Sequence, residues 1–273
     1  MPALSEALRK RILTAVALGA GALVIVLALP PLATVAGASL LALGGAWEWS
    51  AFLRPAGRPG RAAYVALVAA LLVLALRVAA VPGGEAAILA AAVAWWLLAL
   101  AWVAFAPHRV ARWSAAAAGI LALVPAWLAL VRLRAAGPTG AQWVVFLLCL
   151  VYFADIGAYF GGRRFGRLRL APEVSPGKTW EGAVAGVAAS AAVAVAGGLW
   201  FRIPLGTFLP LCLAAVAISI VGDLTESLVK RYAGLKDSGS LLPGHGGIMD
   251  RIDSLTGAAP VLLFGLTLLG VIA

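Results

Sequence analysis

Charge is scarce in this sequence. Only 12% of its 273 residues are charged, against roughly 25% in an average soluble domain. A water-soluble globule needs a polar shell, and with 63% hydrophobic residues the chain has too little polar material to make one. Cysteine is scarcer still. Cys149 and Cys212 both lie in apolar runs, which argues against a disulfide framework and against a cysteine-based metal site. No short repeat and no Gly-X-Y period occurs, and apolar residues dominate, so neither a fibrous nor a disordered chain fits.

What is abundant is hydrophobic length. A membrane-spanning helix takes ~20 apolar residues, and nine segments fit: 12–29, 32–53, 62–81, 85–106, 114–131, 141–161, 180–201, 207–229 and 255–273. The expected fold is therefore all-α, a polytopic integral membrane protein of about nine transmembrane helices. It reads as one membrane domain, 1–273, with helical scaffold over 1–140 and the chemistry in 141–273. Pro30-Pro31, Pro82-Gly83-Gly84 and Gly137-Pro138 mark tight turns. Two connections are long and polar, 162–179 and 230–254. Arg9-Lys10-Arg11 before an apolar stretch has the look of a secretion signal, but that stretch exceeds a typical signal core and hydrophobic hairpins follow, so it reads as a retained first span.

The formal net charge is +10. In a soluble domain this would point to nucleic acid. In a membrane protein cations mark cytoplasmic loops and meet anionic headgroups, and no nucleic-acid partner is expected. With the N-terminus placed inside, 17 of the 21 cations fall in cytoplasmic segments and four outside. This positive-inside bias puts both long polar loops in the cytoplasm and the C-terminus on the opposite side.

Eight of the eleven acids lie from Asp155 onward. A carboxylate within a span is expensive and is a functional candidate by default. At 1.5 Å per residue, Asp155 sits ~10 Å below the cytoplasmic end of its span, and Asp223 is similarly deep. Helical spacing places Ser219, Asp223, Glu226, Ser227 and Lys230 on one stripe, Asp250, Asp253 and Ser254 on a second, and Tyr152, Asp155 and Tyr159 on a third. Three such stripes can frame one hydrated cavity. Oxygen ligands without a His/Cys cluster favour a hard cation such as Mg2+. Of the four lysines, Lys178, Lys230 and Lys236 all fall in the polar C-terminal segments, and lysine suits phosphate oxygens.

Ser175-Pro176-Gly177-Lys178-Thr179 has a passing likeness to a P-loop but fails the pattern, because Pro172 stands where glycine is needed and no strand is expected before it. It reads as a loop entering the seventh span, where Lys178 and free N–H groups can meet an anion. The segment Pro243-Gly244-His245-Gly246-Gly247 offers backbone N–H groups and positive-φ conformations. Other features read as structural: Gly182 and Gly186 as a helix-packing face, Trp47, Trp49, Trp113 and Trp143 as interfacial belts, Trp95 and Trp96 as packing within the fourth span, and Glu48 as a residue near a cytoplasmic helix end.

The run from Ser227 through Lys230, Arg231, Lys236, Asp237, Gly239, Pro243, His245, Gly246, Gly247, Asp250 and Arg251 to Asp253 resembles the signature of phosphatidate cytidylyltransferases, also called CDP-diacylglycerol synthases. Upstream, Asp155-Ile-Gly-Ala-Tyr159-Phe-Gly-Gly162-Arg163 and Ser175-Pro-Gly-Lys178-Thr179-Trp180-Glu181-Gly182 resemble further family motifs. One departure is Gly177, where the family usually has a second lysine. The resemblance implies transfer of CMP from CTP to phosphatidate, giving CDP-diacylglycerol and pyrophosphate. It implies Asp223 and Asp250 as Mg2+ ligands supported by Asp253 and Asp155, and Lys178, Lys230, Arg231, Lys236 and Arg251 around the phosphates. Ser175, Thr179, Asp237, His245, Gly246 and Gly247 would line the substrate site. It also implies a homodimer, a monovalent cation such as K+ beside Mg2+, and a place in the bacterial inner membrane with the site facing the cytoplasm. The rival expectations are a polyprenol- or phytol-type lipid kinase and an ion or anion transporter. Transporter sites lie near the midplane between inverted repeats, whereas the acids here crowd one side.

Overall fold

A computed structural model describes residues 19–53, 57–239 and 246–272. Among these, helix α1 covers 19–27 and is followed by α2 (Pro31–Ser50), α3 (Arg58–Ala79), α4 (Gly84–Phe105), α5 (Arg112–Ala135) and α6 (Gly140–Phe165). A two-stranded hairpin, β1 (Arg169–Ala171) and β2 (Ser175–Thr179), leads into α7 (Trp180–Phe201), then α8 (Leu205–Tyr232) and α9 (Met249–Leu268). The start of the first expected span, 12–18, lies outside the described residues.

Six of the described helices are long and apolar enough to cross a membrane: α3, α4, α5, α6 with its leading turn, α7 and α8. The architecture is all-α and polytopic, as the hydrophobic runs predict. Helices α2 and α9 have 20 residues each and mix apolar runs with Glu48 in the one and Asp250, Arg251 and Asp253 in the other. Helix α9 begins six residues before the expected span, because its first turns carry those charged side chains. Their partners lie inside the protein, so the helix forms where hydropathy alone ends it. Turns follow the punctuation in the sequence. Pro31 opens α2, and Gly83 takes φ 77° ahead of α4, a conformation that glycine adopts without steric cost.

Helix α5 is the most enclosed of the six and joins two apolar cores. One unites α5, α6, α8 and α9; the other unites α2, α3 and α5 with the ends of α8 and α9 that meet at Val229 and Met249. Two tryptophans expected at the membrane interface belong instead to these cores. The Trp49 indole donates to the Ala115 carbonyl at 2.8 Å, and Trp143 stacks on Phe201 with ring centroids 3.7 Å apart. Both sites supply a partner or a flat apolar surface, which draws an aromatic ring inward. Trp113 is exposed, and Trp96 is packed within the bundle.

Helices α6 and α7 make the most extensive helix pair, and small residues make it possible. A Cβ on Gly186 would lie 2.6 Å from the Ala154 carbonyl oxygen, and one on Gly157 would lie 2.7 Å from the Ala189 Cβ. Backbones this close gain dispersion contacts that larger side chains would forbid.

Among the described residues the hairpin is the one sheet, and it corrects the expectation that 175–179 is a loop with no strand before it. It pairs Arg169 with Thr179 and Ala171 with Ser175, antiparallel, across an irregular register. Its base is tied by the Glu181 carboxylate, which accepts the Arg167 and Leu168 amides at 3.0 and 3.2 Å. Its tip is anchored by buried Val174, which packs with Val103, Leu224 and Leu228.

Candidate active site

Alternation along β2 decides where Lys178 goes. Successive strand side chains point to opposite faces. Thr179 turns inward and caps α7, its hydroxyl accepting the Gly182 amide at 3.1 Å. Lys178 therefore turns toward α8, where its ammonium pairs with Asp223. Ser227, one turn on, donates to the other Asp223 oxygen at 3.4 Å. Helix periodicity places Glu226 and Lys230 on the same side of α8, and Lys230 bridges two acids. It donates to Glu226 at 2.7 Å and to Asp250 of α9 at 2.6 Å. Glu226 is wholly buried and Lys230 is 8% exposed, so this triad is a desolvated ion cluster rather than a surface pair. Ser219, expected on the same stripe, is buried and spends its hydroxyl on the Val216 carbonyl of its own helix.

Asp250 is the most heavily solvated carboxylate of the group, and the protein does the solvating. One oxygen takes Lys230. The other accepts the Ser238 amide at 3.0 Å and the Gly247 amide at 2.9 Å. Gly246 makes the approach possible: it sits at φ 78°, and a Cβ there would lie 2.7 Å from the same Asp250 oxygen. The signature loop thus closes around one acid with backbone donors.

Asp155 of α6 and Asp253 of α9 complete the cluster. Asp155 interacts electrostatically with Asp223, Lys178 and Arg251, and Asp253 with Asp223, Glu226 and Lys178. Arg231 donates to the Val174 carbonyl at 3.4 Å and lines a small cleft with His108, Glu173 and Tyr232. Ser175 is half-buried in β2, and Lys236 and Asp237 are exposed on the segment after α8. His245 lies outside the described residues. The structure therefore brings Asp155, Lys178, Asp223, Lys230, Asp250, Arg251 and Asp253 together with Gly246 and Gly247. Two partners are not marked by the sequence pattern: spacing makes Glu226 one member of a stripe without a role, and position makes Glu48 structural. Glu48 is 2% exposed and accepts hydrogen bonds from the signature segment itself, from the Ser238 hydroxyl and the Met249 amide, each at 2.9 Å. The rule that an acid inside an apolar run is functional by default would have found it.

The donor set fits a hard divalent cation. Asp155, Asp223, Glu226, Asp250 and Asp253 face Lys178, Lys230 and Arg251, an excess of acid over base with oxygen donors only. One Glu226 carboxylate oxygen is buried without a hydrogen-bond partner among the described residues. No three acids, imidazoles or thiols among the described residues form a ready cage. Mg2+ takes as few as one or two carboxylates and completes its shell with water and substrate phosphates, so the acids present would serve it without such a cage. Asp223 and Asp250 each hold their own lysine, and Glu226 interacts with both of them.

A polytopic membrane protein that gathers lysines, carboxylates and inward-facing amides at one end of its bundle has the makings of an enzyme for phosphorylated substrates. The chain belongs to the cytidylyltransferase family, whose model matches residues 9–269. It is 45% identical over 224 aligned positions to a phosphatidate cytidylyltransferase of Pseudomonas aeruginosa, covering 80% of this chain and 81% of that protein. A phosphatidate cytidylyltransferase of Haemophilus influenzae is 35% identical over 280 positions, covering 93% and 96%. One from Brucella suis is 51% identical over 144 positions, covering 50% and 52%.

Proposed function

We propose that this chain transfers CMP from CTP to phosphatidate, forming CDP-diacylglycerol and pyrophosphate. The observation that carries the proposal is the pairing of Lys178 with Asp223 beside the Glu226–Lys230–Asp250 triad, in a chain whose relatives bear that activity in their names. An oxygen of the lipid phosphate attacks the α-phosphorus of CTP. The bond from that phosphorus to the bridging oxygen breaks, and pyrophosphate leaves with the electron pair. The attacking oxygen is already ionised, so no dedicated base is required. Catalysis is then mainly alignment and charge neutralisation.

The two lysines divide this work. A lysine ammonium has three N–H donors. Lys178 is partly open, with 27% of its side chain exposed, and its described bond goes to Asp223; donors remain for phosphate oxygens. Lys230 is enclosed and bound to two carboxylates, so it chiefly holds Asp250 in place. Mg2+, when bound, would be held by Asp223 and Asp250, with Asp155 and Asp253 beside it, and would neutralise charge on the transferring phosphate. A monovalent cation beside it, a homodimer, and a bacterial inner-membrane setting with the site toward the cytoplasm belong to the same proposal. The asymmetry of the cations supports that orientation.

The direct test is purified protein in mixed micelles with CTP, phosphatidate and Mg2+. CDP-diacylglycerol and pyrophosphate should appear in equal amounts, stop on chelation and resume on Mg2+ addition. Folded protein that makes neither overturns the proposal. A polyprenol or phytol that is phosphorylated in place of phosphatidate turnover would identify a lipid kinase.

A further inference from the structure

We propose that Glu48, on a helix distant in sequence from the signature segment, is a positioning residue for the transfer reaction. It fastens both ends of the signature loop and so fixes the donors that aim Asp250. This inference rests on the placement of Asp250 in the reaction centre.

Its carboxylate lies between two chain segments. Ser238 comes just before the loop and Met249 just after it. Both donate to the same Glu48 oxygen, across 190 and 201 residues of sequence. The Ser238 hydroxyl also accepts the Asp250 amide at 3.3 Å, and the Ser238 amide donates to the Asp250 carboxylate. Glu48 is thus one bond removed from two of the groups that hold Asp250. The glycines of the signature fit the same arrangement. A Cβ on Gly239 or Gly247 would run into the Glu48 carboxylate. These glycines are needed for close approach of the acid as much as for turning the chain. Helix α2 is itself seated on this segment, for a Cβ on Gly44 would lie 2.6 Å from Ile248, and one on Gly45 3.4 Å from the Met249 sulfur. A carboxylate this buried is costly unless it is hydrogen-bonded. Here the bonds of one oxygen, Oε2, all serve the loop, while Oε1 is buried without a hydrogen-bond partner among the described residues.

The test compares turnover and KM of Glu48→Ala, Glu48→Gln, Ser238→Ala and the Glu48→Ala/Ser238→Ala double variant, per mole of monodisperse protein in detergent. Misplacement of a reacting group by about 1 Å costs on the order of 100-fold. Glu48→Ala should lower kcat by that order while KM for CTP changes by less than about threefold, because Asp250 is misaimed rather than the nucleotide lost. Glu48→Gln keeps a carbonyl acceptor and should restore kcat to within about tenfold of the unmodified protein. The double variant should be little worse than Glu48→Ala, because both changes cut one connection. Near-normal kcat in Glu48→Ala, no rescue by glutamine, or fully additive losses would each overturn the proposal. If Glu48→Ala does not fold, Ser238→Ala carries the test: a kcat loss of about tenfold at constant KM supports it, and an unchanged kcat overturns it. Asp250→Asn separates the two readings. Full activity there removes Asp250 from the reaction centre. An inactive Asp250→Asn beside a normal Glu48→Ala refutes the positioning role alone.

Discussion

Lys230 is 8% exposed between the fully buried Glu226 and the partly buried Asp250. Removing one partner from such a cluster leaves an uncompensated buried charge, at about 3–5 kcal/mol. Lys230→Met should therefore lower stability in micelle denaturation by that amount, and adding Glu226→Gln should recover part of it. Asp223→Asn and Asp250→Asn keep shape while removing charge. Each should lower turnover by about 100-fold or more in protein that still folds, and Asp250→Asn should also lower the unfolding midpoint, because it strips Lys230 of one of its two acids; a near-normal rate in either removes that residue from the centre. The residues carrying these effects were mostly legible in the sequence. Asp223, Glu226 and Lys230 follow from helical spacing, and Asp155 and Asp250 from acids crowded at one end of their spans. What spacing does not reveal is partnership across distant segments. Lys178 finds Asp223 across 45 residues, and Glu48 finds Ser238 across 190, only once the chain is packed. Ser219 shows the converse: it lies on the right stripe, yet a β-hydroxyl one turn above its own helix carbonyl is satisfied locally.

At the scale of elements, the helices were legible because each needs a long apolar run. The expected span 180–201 coincides with α7, and the G-x-x-x-G at Gly182 and Gly186 does lie on a helix-packing face, against α6. The hairpin was not legible. Strands of three and five residues carry no periodicity of their own, and what makes them is the pairing together with the Glu181 tie and the Val174 anchor. Because β2 runs directly into α7, the hairpin's position depends on how closely α7 sits on α6. A Gly186→Leu change puts a branched side chain where the Ala154 carbonyl already lies 2.6 Å from a Cβ. Overpacking of this kind costs about 1–3 kcal/mol. It should lower the unfolding midpoint and, by shifting Lys178 away from Asp223, lower activity as well. Ala188→Leu on the exposed side of the same helix should change neither. Equal effects at the two positions would show that α6–α7 closeness is not what sets the hairpin.

At the scale of the whole molecule, the two ends of the bundle differ in charge, and that asymmetry supports the proposed orientation. Among the described residues, the end bearing the hairpin and the signature segment carries most of the cations. At the other end Arg132 is paired with Glu85, which offsets one of the few cations there. Helix α6 connects the two ends. Its 26 residues span ~39 Å at 1.5 Å per residue, enough to cross a hydrocarbon core of ~30 Å. Thr139 is exposed just before it, and Pro172 is exposed on the hairpin turn that follows it. In a background with Cys149 and Cys212 replaced by alanine, single cysteines at these two positions report the orientation. A membrane-impermeant maleimide applied to intact spheroplasts should label Thr139→Cys at once and Pro172→Cys only after permeabilisation. CTP is a cytosolic nucleotide carrying several negative charges and does not cross the bilayer unaided, so the proposed reaction calls for the hairpin that presents Lys178 on the side that supplies it. Labelling of Pro172→Cys in intact spheroplasts, with Thr139→Cys protected, would reverse the topology and leave the candidate site on the side where its nucleotide is absent.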